Sequence, residues 1–268
     1  MKYRLYAICL SVLLSALIMC SCGEKKQEPN EVGGHVAEEY AYNTEIIRSE
    51  NAPVPGAADI SKLTDYQEGA IDGVSLPFEV PDTPLVIDSV GAYNGQYVED
   101  SSMDACAGVP AVVVRNTSDQ IVSFASFKVR YGEGEDAVCS FRPTNLKAGC
   151  SALVLTEDKT LQFDKMTAFE IVKSSAILID ELTMIDDMVG VSYDNGKIVL
   201  TNLKERSLGT VYIRYKFITD ANAYLGGVTC SVLVENAQPY KTYLIPAGNF
   251  DPERCEIICV ENDDNTDS

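Results

Sequence analysis

Four basic residues in two similar segments are the side chains of this sequence best suited to bind a ligand. Lys128 and Arg130 alternate with apolar residues in one segment, and Arg214 and Lys216 do so in the other. Because successive side chains of a strand point to opposite faces, each basic pair should lie on an outward face. Such a face could bind an anionic ligand such as a phosphate-bearing wall polymer. The alternative is that these residues pair with acids on neighbouring strands.

A second candidate binding element follows the second basic pair. Tyr224, Gly226 and Gly227 are expected to form a loop at one end of the fold, where binding residues often occur. The alternative is that the glycines only supply the positive φ that a long hairpin needs.

Catalytic and metal-binding chemistry has little support. His35 is the only histidine, and it falls in a segment where no folded pocket would hold it as a base. Adjacent carboxylates such as Asp186 and Asp187 would point to opposite faces of a strand, so they do not form a glycosidase pair. Asp220 and Asn222 could offer oxygen ligands to calcium, but the rest of a calcium-loop pattern is missing. We therefore predict no enzyme activity, no metal and no cofactor.

Six cysteines follow the N-terminal region, at positions 106, 139, 150, 230, 255 and 259. An even number in an exported protein permits disulfides, whereas buried free cysteine is also common. The sequence leaves both possibilities open. Cys139 and Cys150 would flank a single hairpin, so they are the pair that we predict to form a disulfide. Zinc is not expected, because the cysteines form no Cys-x-x-Cys pair and no histidine lies near them.

The N-terminus has the features of a cleaved export signal, which we place at residues 1–21. Lys2 and Arg4 precede an almost wholly apolar run over residues 5–19. That run is shorter than the roughly 20 residues that a membrane-spanning helix needs.

The end of this signal, LIMCSCG at residues 17–23, resembles a lipobox. Cys22 follows the small Ser21, whereas Cys20 follows the bulky Met19, which a peptidase pocket for small residues should reject. The resemblance implies that Cys22 is lipidated and anchors the chain to the extracytoplasmic face of the cell membrane. An ordinary secretory signal is the alternative.

The remaining chain is strongly acidic. The full sequence has 21 basic and 40 acidic residues and a formal net charge of −19. Removing residues 1–21 takes away two basic residues and no acidic ones, which leaves a charge of −21. This balance argues against nucleic acid and anionic membrane surfaces as partners.

Composition divides the chain into a tether and a folded part. Residues 22–83 are rich in Pro, Gly and charge, which predicts a mostly disordered acidic tether. From residue 84 onwards, short runs of β-branched and aromatic residues alternate with turn residues, which predicts an all-β fold. The acidic tail, residues 263–268, should be frayed.

Two copies of one pattern occupy residues 84–175 and 176–262. At an offset of 86 residues, VVVRN at 112–116 aligns with IVLTN at 198–202. The second copy then has five extra residues, so that Cys139 aligns with Cys230 at an offset of 91. Two copies of this length and strand content predict two tandem immunoglobulin-like β-sandwiches.

A family resemblance covers residues 197–260 and, in part, the first copy. IVLTN at 198–202, YIRYK at 212–216 and YLGGVT at 224–229 resemble the repeated β-domain of uncharacterised lipoproteins of Gram-positive anaerobes. The segment is also similar to FxLYD-type extracytoplasmic β-sandwich modules. This resemblance implies an extracytoplasmic module, and it transfers no catalytic residues.

These patterns predict a membrane-anchored extracytoplasmic lipoprotein. We expect a non-catalytic binding or scaffolding module at the cell envelope, whose partner is a cell-envelope protein or a wall polymer. An accessory substrate-binding subunit for a cell-wall or polysaccharide-processing enzyme is the second hypothesis, and a stand-alone hydrolase is the third.

Overall fold

The residues that the computed structural model describes form β-strands and no α-helix, which confirms the all-β prediction. The structure describes residues 35–36, 43–49, 51–67, 70–71, 74–131, 138–163 and 169–263. The predicted signal peptide, the predicted lipidation site Cys22 and residues 264–268 of the predicted tail lie outside these ranges. Among the described residues, no helix is long and apolar enough to cross a membrane.

We number the strands in chain order and call β6–β12 the first repeat and β13–β18 the second repeat. The strands before the first repeat are β1 (His35–Val36), β2 (Leu63–Gln67), β3 (Ala70–Ile71), β4 (Val74–Ser75) and β5 (Phe78–Glu79). The first repeat contains β6 (Leu85–Gln96), β7 (Ala105–Asn116), β8 (Ile121–Tyr131), β9 (Val138–Phe141), β10 (Thr144–Leu146), β11 (Ser151–Leu155) and β12 (Phe169–Ile179). The second contains β13 (Val189–Asp194), β14 (Lys197–Asn202), β15 (Val211–Ile218), β16 (Tyr224–Val234), β17 (Thr242–Pro246) and β18 (Cys255–Asn262).

Strands pair in the same pattern in both repeats. In the first repeat β7 lies between β6 and β11, while β8 lies between β12 and the β9–β10 edge. In the second, β14 lies between β13 and β17, while β15 lies between β18 and β16. Even the registers agree: Val129 lies opposite Cys139 in β8–β9, and Tyr215 lies opposite Cys230 in β15–β16. Val129 and Tyr215 are 86 residues apart, and Cys139 and Cys230 are 91 residues apart, which are the two offsets found in the sequence.

One eight-stranded sheet joins the repeats, in the order β18-β15-β16-β11-β7-β6-β2, with β5 also paired to β6. The join is a parallel pairing of β11 with β16, in which Ala152 lies opposite Tyr224 and Leu153 opposite Leu225. Strand β12 runs through residues 175–176, where the sequence places the boundary between the copies.

Strand β7 is buried on both faces of this sheet. Val112 and Val114 pack in a core within the first repeat. Ala111 and Val113, which point the other way, pack in a second core to which both repeats contribute. Each fully buried valine contributes about 1.5–3 kcal/mol through burial, so the shared core links the stability of the two repeats.

Part of the range predicted as a tether packs against the strands. Ile46 is buried and forms a parallel bridge with Val191 of β13. The neighbouring Gly190 allows this approach, because a Cβ there would lie 1.8 Å from the carbonyl oxygen of Asn43. Leu63 of β2 also joins the shared core. These residues of the predicted tether therefore belong to the packed structure.

A fully buried asparagine ends β7 and its equivalent, β14. Asn116 and Asn202 lie 86 residues apart, and each side chain closes the turn that follows its strand. The bonds of Asn116 are Nδ2 to Gln120 O at 2.7 Å, Nδ2 to Leu146 O at 3.0 Å and Ser118 N to Oδ1 at 3.0 Å. Those of Asn202 include Nδ2 to Arg206 O at 2.9 Å, Nδ2 to Ala237 O at 2.8 Å and Lys204 N to Oδ1 at 2.8 Å.

Candidate functional site between the two repeats

Three of the five extra residues of the second repeat form a bulge in β16. Tyr215 of β15 lies opposite Cys230, and Phe217 lies opposite Leu225. An advance of two residues along β15 therefore corresponds to five residues along β16. Residues 226–229 therefore leave the ladder with β15. Their backbone groups must find other partners, because a buried N–H or C=O without a hydrogen bond is costly.

The residues predicted to form a loop at one end of the fold lie in or beside this bulge and are enclosed. Tyr224 is 0% exposed. Gly226 has a φ of +84°, and a Cβ there would lie 2.4 Å from Val98 Cγ2. A Cβ on Gly227 would lie 2.5 Å from the carbonyl oxygen of Arg142. The prediction of an end loop was wrong, because these residues belong to β16. Since Val98 and Arg142 belong to the first repeat, the stretch is a contact between repeats, and Gly226 supplies the positive φ of the alternative.

Lys216 supplies one side of this contact. Its side chain is 1% exposed, although the alternation of β15 predicted an outward position. Its Nζ donates to the carbonyl oxygens of Thr144 at 3.0 Å, Gly227 at 2.8 Å and Val228 at 3.0 Å. An ammonium group has three N–H donors, and all three are used here.

Glu99 of the first repeat supplies the other side. Its carboxylate accepts hydrogen bonds from the backbone N–H groups of Leu155 at 2.8 Å, Gly227 at 2.8 Å and Val228 at 3.1 Å. The peptide groups of Gly227 and Val228 thus donate to Glu99 and accept from Lys216. This arrangement satisfies the backbone groups that the bulge removes from the ladder. We call Glu99, Lys216 and the peptide groups between them the junction.

Burial and the neighbouring charges shift the pKa values of Lys216 and Glu99 in opposite directions. Burial lowers the pKa of Lys216 to about 8, and the nearby charge of Glu99 opposes that shift. Burial also raises the pKa of Glu99, while the backbone N–H bonds and Lys216 oppose the change. Three acceptors around the ammonium and three donors around the carboxylate favour the charged form of each group. The junction is therefore a buried ion pair bridged by backbone.

Tyr224 extends the junction into a longer polar chain. Lys216 Nζ lies 5.4 Å from the centroid of its ring, within cation–π range. The Tyr224 hydroxyl donates to Glu256 Oε2 at 2.8 Å, and Glu256 Oε1 accepts from Lys147 Nζ at 2.6 Å. Burial and the adjacent Glu256 raise the pKa of Tyr224, which keeps the hydroxyl protonated as the donor. The chain runs from Glu99 of the first repeat through the second repeat and returns to the first at Lys147.

A cleft of about 440 Å³ lies beside the junction. Both repeats and the segment that connects them line it with apolar groups and with polar residues that include Arg142, Thr144, Asn145, Glu181, Arg214 and Thr229. Thr144 and Thr229 share a hydroxyl–hydroxyl hydrogen bond of 2.8 Å across the two repeats. The volume falls in the range of small-ligand sites. Because both repeats contribute polar side chains to this cleft, we take it as the candidate binding site.

The four basic residues predicted as an anion-binding stripe do not form one surface. Arg214 lines the cleft and pairs with Glu261 of the neighbouring strand at 2.6 Å. Lys216 lies in the junction. Lys128 and Arg130 lie on β8, in another sheet, where Arg130 pairs with Glu170 at 3.5 Å. Both arginines thus pair with acids on neighbouring strands, which was the alternative to an anion-binding face.

The predicted disulfide is also absent, because no bond joins Cys139 to Cys150. Strands β9 and β10 both pair with β8, where Cys139 lies opposite Val129 and Leu146 opposite Val122. Seven residues of strand span roughly 23 Å, and Cys150 follows Leu146. A disulfide needs Cα atoms within about 7 Å.

Comparison with known protein families and with curated proteins finds no match to this chain. The function is therefore inferred from the geometry of the cleft and the junction. Sequence reasoning found Arg214, Lys216 and the Tyr224–Gly227 stretch, but it missed Glu99, Thr144 and Thr229. The change of offset from 86 to 91 was the only sequence signal for the contact between these residues, because it located the bulge.

Proposed function

We propose that this protein is a membrane-anchored extracytoplasmic lipoprotein and a non-catalytic binding or scaffolding module of the cell envelope. In this proposal a signal peptide over residues 1–21 is removed and Cys22 carries the lipid. Two tandem immunoglobulin-like sandwiches, residues 84–175 and 176–262, form the exposed part. The equivalent strand pairings of the two repeats support this division.

The cleft formed by both repeats is the observation that carries the binding proposal. Two guanidinium groups, Arg142 and Arg214, lie in it together with hydroxyl and amide groups of Thr144, Asn145 and Thr229. The junction fixes the repeats on either side of the cleft. A site held in advance in its binding geometry loses less entropy when a partner binds. A cell-envelope protein or a wall polymer is the partner that we propose.

The chemistry of the cleft favours binding over catalysis. Burial raises the pKa of the cleft thiol, Cys259, to about 12, so that it remains a protonated thiol at neutral pH. The ammonium of Lys216 is held by three carbonyl groups and is not free to act as a nucleophile. Each arginine is held by a carboxylate, Arg142 by Glu157 and Arg214 by Glu261.

Lipid attachment can be tested by growing cells with labelled palmitate. The wild-type chain and a Cys20→Ser variant should both incorporate the label, because Cys22 follows the small Ser21 that a lipoprotein peptidase accepts. A Cys22→Ser variant should lose the label and leave the membrane fraction. Label retained by Cys22→Ser would contradict anchoring at this residue.

Binding can be tested by retention of envelope components on the immobilised chain, residues 23–268. We expect a saturable partner from isolated cell envelopes, and an Arg214→Gln variant should bind it at least tenfold more weakly because one cleft guanidinium is lost. Arg48→Gln is the matched control, since Arg48 is an exposed arginine that pairs with Asp186 outside the cleft. Equal retention by both variants would remove the cleft from the proposal.

A further inference from the structure

The outer edge of β12 pairs with no strand in the part of the chain that the structure describes, although the Ser174 hydroxyl donates to the carbonyl oxygen of Pro81 at 2.5 Å. Strand β12 pairs with β8 on one side and with no described strand on the other. Three of the six large hydrophobic residues exposed in the described ranges lie on this strand: Val172 at 45%, Ile177 at 59% and Leu178 at 38%. Native proteins usually protect such an edge, because its unpaired backbone groups recruit another chain.

Two lysines give this surface a positive charge. Lys173 of β12 lies directly opposite Lys128 of β8, and both are exposed. Like charges in opposing positions destabilise a sheet, and neither lysine forms an ion pair with any described residue. In a chain with a net charge of −19, this locally positive surface is complementary to an acidic partner.

The second repeat shows how an equivalent edge is covered. An extended segment before β13 lies along β18, where Val260 N donates to Thr183 O at 3.0 Å and Ile185 N donates to Val260 O at 3.1 Å. Ile258 beside it is 3% exposed, whereas its equivalent in the first repeat, 86 residues earlier, is the exposed Val172. The edge of β18 thus accepts an extended segment, whereas the equivalent edge of β12 pairs with no described segment.

We propose that β12 binds an extended, acidic segment of a partner protein by strand addition. The added strand pairs with the β12 backbone, places a carboxylate beside Lys173 and packs an aliphatic side chain beside Ile177. Positions 173, 175 and 177 share one face of β12, opposite 128, 126 and 124. The partner segment therefore carries its acidic and aliphatic residues four positions apart. This surface is distinct from the cleft, and the inference goes beyond the cleft function.

A synthetic peptide tests the proposal on the chain from residue 23 to 268. The probe is a fluorescent, threonine-rich nonapeptide with isoleucine and glutamate four positions apart, and its partner probe has lysine in place of glutamate. We expect saturable binding of the glutamate peptide in fluorescence anisotropy. Binding should weaken at least tenfold in Lys173→Glu and in Ile177→Lys, and the Lys173→Glu variant should prefer the lysine peptide.

Matched variants separate this surface from other effects. Lys197→Glu makes the same charge change at an exposed strand lysine elsewhere and should bind as the wild type does. Arg214→Gln should also bind normally, because it alters only the cleft. No saturable binding, or equal binding of both peptides by the wild type, would overturn the proposal. A dimer in sedimentation that Ile177→Lys disperses would also overturn it, because the edge would then bind a second copy.

Discussion

Replacing Lys216 by methionine should lower the free energy of unfolding by about 3–5 kcal/mol, the usual cost of removing one partner from a buried ion pair. The substitution leaves the carboxylate of Glu99 buried without its counter-charge. It also leaves the carbonyl groups of Thr144, Gly227 and Val228 without their donor. Denaturant unfolding of the chain from residue 23 to 268 at pH 7 measures the difference.

Two further variants isolate the buried charge. Lys204→Met removes a partly exposed lysine that pairs with Asp187 at 3.1 Å, and it should cost no more than about 1 kcal/mol. The double variant Lys216→Met with Glu99→Gln should recover part of the loss, because no uncompensated carboxylate remains. A loss below about 1 kcal/mol for Lys216→Met alone would show that the ammonium does not hold the junction.

Replacing Asn202 by alanine should cost about 2–4 kcal/mol, because several buried backbone groups lose their only described side-chain partner. Asn116→Ala should cost a similar amount, since the two asparagines make equivalent bonds in the two repeats. Thermal and denaturant unfolding measure both. Asn249→Ala is the control, because that exposed side chain makes one long bond of 3.3 Å and should change stability little. A large difference between Asn116→Ala and Asn202→Ala would contradict the equivalence of the repeats.

The strands were predictable from the sequence because their signal is local. Alternation predicted one strand around Lys128 and Arg130 and another around Arg214 and Lys216, and the structure has β8 at Ile121–Tyr131 and β15 at Val211–Ile218. A strand with one buried face shows this period in its own residues. The offsets of 86 and 91 likewise matched the pairing of equivalent strands, because insertions shift the register only after the point where they occur.

The candidate site was harder to predict because it depends on contacts between distant segments. Alternation put Lys216 on the outer face of its own repeat, and β15 does present it there, next to the outward Arg214. The first repeat then covers that face with Thr144 and Glu99, which a single strand pattern cannot reveal. Glu99 lies more than a hundred residues from Lys216 in sequence, and its own segment has no feature that distinguishes it from other acids.

The cysteine prediction failed for a related reason. It assumed that Cys139 and Cys150 flank one hairpin, but β9 and β10 follow each other along the same edge of β8. The turn between them at Arg142 and Pro143 continues the strand direction instead of reversing it. Local composition indicates where a strand ends, whereas the direction of the next strand depends on the strand with which it pairs.

Tyr224 has a consequence for the order in which the chain folds. This residue of the second repeat packs in the core of the first, beside Ala152 and Val154 of β11. While a chain emerges with its N-terminus first, the first repeat lacks this aromatic side chain until residue 224 is free. Its interior is then incomplete, so the first repeat cannot finish folding ahead of the second. The two should reach the native state in one late, cooperative step, in contrast to domains that fold one after another along a chain.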